Sequence, residues 1–156
     1  MSEETFEERK KRENEAYYKK WLECGFTGEM PINECGWFVP VFRLYYPVET
    51  IEVFNQKGYR ASVEYCHLPN GKWVAASDLT CPLYGFGSAC GVWDKQYDTK
   101  NEAIMNELCL IEKSLKEKDK KTFVLQAIQT CKNMFKESLF EMVFEPMAQF
   151  EQVSLF

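Results

Sequence analysis

The sequence predicts an α+β domain, on three observations. A segment of good helix formers without Gly or Pro opens the chain, and the middle changes to short runs of β-branched and aromatic residues cut by Pro, Asn and Gly. Apolar spacings of three and four then return after residue 99. Strands grouped between helices, rather than alternating with them, favour an antiparallel sheet with helices packed on it. The 156 residues suit one core, so a single domain is expected over 1–146 with a short tail over 147–156.

The first helix is expected over residues 1–24, with Tyr17, Tyr18, Trp21 and Leu22 at helical spacing in its second half only, so it should dock by its C-terminal end. The basic run Arg9-Lys10-Lys11-Arg12 lies among Glu7, Glu8, Glu13 and Glu15, which supply partners four residues away, and it reads as a solvated helix face. "CGFTGEMPINECG" concentrates Gly and Pro and is a connector.

A β-meander of three to five strands is expected over 36–98. "WFVPVFRLYYP" and "ETIEVFN" have strand composition. In "YRASVEYCHLPNGKWVAASDL" the turn Pro69-Asn70-Gly71 suits a type I turn with Gly in the left-handed position, closing a three-residue hairpin loop. That loop pairs Leu68 with Lys72, and counting back it sets Tyr65 against Ala75, Val63 against Ser77 and Ala61 against Leu79. Tyr59, Ala61, Val63, Tyr65, Trp73, Ala75 and Leu79 then share one face, whereas a two-residue loop would scatter them over both. "CPLYGFGSACGVW" reads as an irregular or bulged strand.

Two helices are expected over 99–145. Thr99 with Glu102 forms a capping-box pattern before Ile104, Leu108, Ile111 and Leu115. Val124, Ile128, Cys131, Phe135, Leu139 and Met142 continue the rhythm beyond the apolar-free "KEKDKK", which places a break near Asp119, and Pro146 ends the second helix. These two helices can cover one face of the sheet.

Composition narrows the function classes. Apolar residues at 46% and charged residues at 28% describe a foldable chain. The charged opening from Met1 and the lack of any long apolar run lead us to expect a soluble, cytoplasmic protein without a membrane span. Seven widely spaced cysteines are expected as reduced thiols. The net charge is −5, and residues 31–98 hold five basic and seven acidic side chains, which does not describe a nucleic-acid surface.

Internal residues with chemical potential each have a cheaper structural account. His67 is the only histidine and sits at the hairpin tip across from Trp73, so it is expected to be structural or exposed. There is no Cys-x-x-Cys pair for a metal, and adjacent Cys66 and His67 point to opposite faces of a strand. Cys90 in "SACG" has the look of a nucleophile on a tight turn but has no assignable second group. "GFGSACG" lacks the lysine and spacing of a phosphate loop. Glu64, Asp78 and Asp94 are joined by no spacing rule as an acid/base pair. Tyr59, Tyr65, Trp73 and Trp93 could form a platform for single-stranded nucleic acid, but Arg60, Lys72 and Lys95 are diluted by carboxylates and core packing is the expected use. No catalytic residue, cofactor or metal site is assigned, and a non-enzymatic protein is expected.

The tail reads "MAQFEQVSLF", with adjacent large apolar residues behind a polar run. Gln152-Val153-Ser154-Leu155-Phe156 resembles the pentapeptide, close to Gln-Leu-Ser/Asp-Leu-Phe, by which bacterial DNA polymerases and mismatch-repair proteins bind the sliding clamp. Gln152, Ser154, Leu155 and Phe156 match, and Val153 stands where Leu is common. The resemblance covers five of 156 residues and implies a partner, the sliding clamp of the bacterial DNA polymerase, without implying a fold or activity for the body. The alternatives are a module binding single-stranded nucleic acid or RNA and a protein inhibitor of a host machine.

Overall fold

Thr5 starts the first helix. Its hydroxyl accepts the Glu8 N–H at 3.2 Å while the Glu8 carboxylate accepts the Thr5 N–H at 3.0 Å, a reciprocal cap that satisfies two otherwise orphan donors. The computed structural model describes residues 2–118 and 123–136, and α1 runs Phe6–Glu23. Arg9 pairs with Glu13 at 2.9 Å and Arg12 with Glu4 at 2.7 Å, so the basic run is the expected solvated face. Trp21 is buried at the C-terminal end, also as expected. One polar residue is buried with it: Asn14 donates to Gly36 O at 2.9 Å and accepts from Phe38 N–H at 2.8 Å, pinning the following loop to the helix.

Four antiparallel strands follow as one meander, β1 Glu49–Gln56, β2 Tyr59–His67, β3 Trp73–Thr80 and β4 Gly85–Gly87, in that order across the sheet. The β2–β3 register is the one the Pro69-Asn70-Gly71 turn requires. His67 faces Trp73, Tyr65 faces Ala75, and Leu68 N–H donates to Lys72 O at 2.8 Å over a Gly71 with φ +91°. β1 and β2 join through Lys57-Gly58, both at positive φ, the conformation that matches the twist of a two-residue hairpin. β1 carries a bulge between Glu52 and Phe54, so Ile51 and Phe54, three positions apart, both turn toward the same core.

The run "WFVPVFRLYYP" is not a strand. It makes isolated bridges, Ile32 with Phe38 and Val41 with Gly91, and then one 3-10 turn over Phe42–Leu44. Pro40 and Pro47 carry no N–H for a ladder, and the aromatic rings are used elsewhere. Phe26 stacks on Trp21 with centroids 5.4 Å apart and meets Phe42 at 5.5 Å and Tyr46 at 4.9 Å.

α2, Lys100–Lys118, starts where Thr99 Oγ1 accepts the Glu102 N–H at 3.2 Å. Residues 123–136 are helical as well; the expected break near Asp119 and the end at Pro146 lie outside the described residues. Ile104, Leu108, Ile111 and Leu115 are fully buried, each contributing about 1.5 to 3 kcal/mol relative to an exposed position. With Val124, Ile128 and Cys131 they cover the expected β-face of Tyr59, Ala61, Val63, Tyr65, Ala75 and Leu79. The opposite face is covered too. Cys66, Leu68, Val74 and Ala76 pack under Trp21, Phe38 and Phe42, so the sheet separates two cores rather than facing water on one side.

The two layers meet at the hairpin tip. Asn70 N–H donates to Cys24 O at 3.1 Å and the Asn70 side chain to Glu23 O at 3.0 Å, so the β2–β3 turn caps the last carbonyls of α1.

Candidate functional site

Gln152, Val153, Ser154, Leu155 and Phe156 lie outside the described residues. Cys90 is fully buried in the core under α1, not exposed on a turn. Its Sγ points at Glu64 O, 3.3 Å away. The Cys66 thiol beside it, and burial after that, hold the Cys90 thiol far above the usual thiol range, which leaves it protonated and unreactive.

The structure does join two of the carboxylates that no spacing rule connects. Glu64 accepts the Cys90 N–H at 2.7 Å and Asp94 accepts the Gly91 N–H at 2.7 Å, so the pair clamps two consecutive amides of one loop. Burial pushes the Asp94 carboxyl up to about 6, against the opposing Gly91 bond, with Glu107 and Glu64 adding to the rise. Arg43 approaches Glu64 at 3.9 Å. On the other core, Glu107 accepts the Ser77 hydroxyl at 2.6 Å, and burial raises its carboxyl as well. Each of these carboxylates holds the fold through a hydrogen bond. Asp78 is exposed beside Gly87 on β4, apart from them.

The four aromatic candidates do not form an open platform. Tyr59 and Tyr65 are buried in the α2 core, Trp73 is half-buried, and Trp93 is exposed at 44% on the other side of the fold beside Tyr17. His67 stacks flat on Trp73, centroids 4.1 Å apart with planes at 5°, and its Nε2 lies 3.1 Å from Gly71 O.

What the strands do gather is a small cavity of about 290 Å³ at the end of the sheet, lined by Tyr46, Pro47, Glu49, Tyr65, Cys66, His67 and Trp73. β1 and β2 place Glu49 directly across from Tyr65, and the phenol donates to Glu49 Oε2 at 2.5 Å. Burial and that bond raise the Tyr65 phenol to about 12, so it remains a donor across the physiological range. Tyr46 donates to His67 O at 2.6 Å, which fixes the Tyr46 ring at the rim. The sequence grouped Tyr65 and Trp73 only with Tyr59 and Trp93, as a possible platform, set His67 across from Trp73 as structural or exposed, and singled out neither Tyr46 nor Glu49. Among the described residues no group of three or more metal-ligating side chains converges, and no helix is long and apolar enough to cross a membrane.

No protein-family model, no curated protein and no solved structure matches the chain.

Proposed function

We propose that the chain is a non-enzymatic adaptor of bacterial or mobile-element DNA metabolism that binds the DNA sliding clamp through Gln152, Val153, Ser154, Leu155 and Phe156. The observation that supports the reading is the match of four of these five positions to the clamp-binding pentapeptide. The chemistry agrees with it. The Gln152 amide can donate and accept at the mouth of a groove, and Leu155 with Phe156 can fill an apolar pocket as paired anchors. A pentapeptide makes few contacts and loses chain entropy on binding, so a dissociation constant of about 1 μM, or about −8 kcal/mol, is expected. A cytoplasmic location accompanies the role. In the body, the candidate nucleophile Cys90 and the carboxylates Glu64 and Asp94 are engaged in holding the fold.

The test is clamp capture by the full chain, by a deletion of 152–156, and by Leu155→Ala/Phe156→Ala. Loss of capture in both altered chains with an unchanged melt supports the reading. Capture that survives, or a melt that collapses with the tail, overturns it.

A further inference from the structure

The cavity at the end of the sheet has a charge imbalance. Its lining offers the rings of Tyr46, Tyr65, His67 and Trp73 and one formally charged group, Glu49. The Tyr65 phenol orients that carboxylate through Oε2, and Oε1 has no hydrogen-bond partner or ion pair among the described residues. A carboxylate held in place beside several ring faces is complementary to a cation, since the ring faces carry negative quadrupole density. Lys100 Nζ, at the start of α2 and outside the cavity lining, stands 5.8 Å from the Tyr65 centroid, within cation–π range.

The polar inventory decides which cation. A primary ammonium brings three donors and needs acceptors for all of them. The His67 carbonyl already receives the Tyr46 hydroxyl, and the side chains of the lining offer rings and a single carboxylate, Glu49, rather than a converging set of acceptors. A methylated ammonium needs no hydrogen bonds, gives up little hydration and presents its methyl groups to ring faces. We propose that this cavity binds a methylated ammonium cation, with Glu49 as its counterion and the rings of Tyr46 and Trp73 as its walls. The headgroup can belong to a free small molecule or to a methylated lysine on another protein.

The test uses the full ¹⁵N-labelled chain and follows the indole N–H of Trp73, assigned by Trp73→Phe. The probes are choline, Nα-acetyl-trimethyllysine N-methylamide, and the uncharged choline isostere 3,3-dimethylbutan-1-ol, all at matched ionic strength. Saturable binding of either cation at millimolar concentration is expected, about tenfold or more tighter than the alcohol, the size of a partly desolvated cation–π contact with its counterion. The tighter of the two cations identifies the source. Glu49→Gln, which keeps the acceptor for Tyr65, should reduce the cation's affinity about two- to fivefold, as befits an exposed counterion, and leave that of the alcohol unchanged. Equal binding of the alcohol and the cations, or no saturation by either cation, overturns the proposal, and both outcomes are read on the unaltered chain.

Discussion

Gly25→Ala tests whether the hairpin tip really closes the end of α1. Gly25 has φ +95°, and a Cβ there would stand 2.5 Å from Asn70 N and 2.9 Å from Asn70 Cβ. To reach ordinary contact at 3.4 Å the turn and the helix end must part by about 0.9 Å. The Asn70 bonds to Cys24 O and Glu23 O, at 3.1 and 3.0 Å, then stretch beyond hydrogen-bonding range. Two lost bonds at about 0.5 to 1.5 kcal/mol each, with about 1 to 2 kcal/mol for a left-handed alanine, give a destabilisation of about 2 to 4 kcal/mol after the smaller gain from a stiffer unfolded chain. Gly28→Ala is the control, because Gly28 has the same φ of +95° with nothing within 4 Å of the added carbon. It should cost only the backbone strain, about 1 kcal/mol. Urea unfolding followed by circular dichroism, with unchanged m-values, measures both. If the two variants agree within about 0.5 kcal/mol, the close approach contributes nothing and the cap by Asn70 is refuted.

Two further outcomes follow from the buried groups. The carboxyls of Asp94 and Glu107 are raised by burial, so the folded chain holds protons that the unfolded chain has already released; stability should fall as pH rises from the ordinary carboxylate range through about 6. After discounting for the water that still reaches Asp94, the decline is about 1 to 2 kcal/mol, and urea midpoints at pH 4.5 and 7 should show it shrinking in Asp94→Asn/Glu107→Gln. The same decline in that double variant would contradict the assignment. Cys35 and Cys109 are exposed while Cys24, Cys66, Cys81, Cys90 and Cys131 are buried, with burial pushing the Cys24 thiol up to about 11. A disulfide reagent should therefore modify two thiols rapidly in the native chain and all seven in denaturant, and rapid native labelling of Cys90 would show that its core opens.

Legibility in the sequence followed locality. Pro69-Asn70-Gly71 sets its own conformation and agrees with the apolar period on either side, so the β2–β3 register could be read residue by residue. The stripe Ile104, Leu108, Ile111, Leu115 was equally local. The segment 36–47 failed because strand composition and aromatic-cluster composition are the same letters. Phe42 and Tyr46 are spent on Phe26, 16 and 20 residues back, and only the positions of Pro40 and Pro47 argued against a ladder. The second core was missed for a related reason: Cys66, Leu68, Val74 and Ala76 mark an apolar second face, but nothing local says that α1 returns to cover it. Glu64 and Asp94 meet through the amides of Cys90 and Gly91, a convergence that follows from the loop's path and not from any spacing.

The cavity depends on a still finer detail. Lys57-Gly58 is a two-residue turn, and from it alone β1 would pair Gln56 with Tyr59 and, counting outward, Glu49 with Cys66. The pairing begins that way, with Asn55 against Arg60 and Phe54 against Ala61. The bulge at Val53 then shifts the register by one, and Glu49 arrives opposite Tyr65 instead. Because side chains alternate, the shift also moves Glu49 from the face of Cys66 to the face shared by Tyr65, His67 and Trp73. One unpaired residue thus brings the carboxylate onto the aromatic end of the sheet while keeping Ile51 and Phe54 in the core, and a straight strand could not do both.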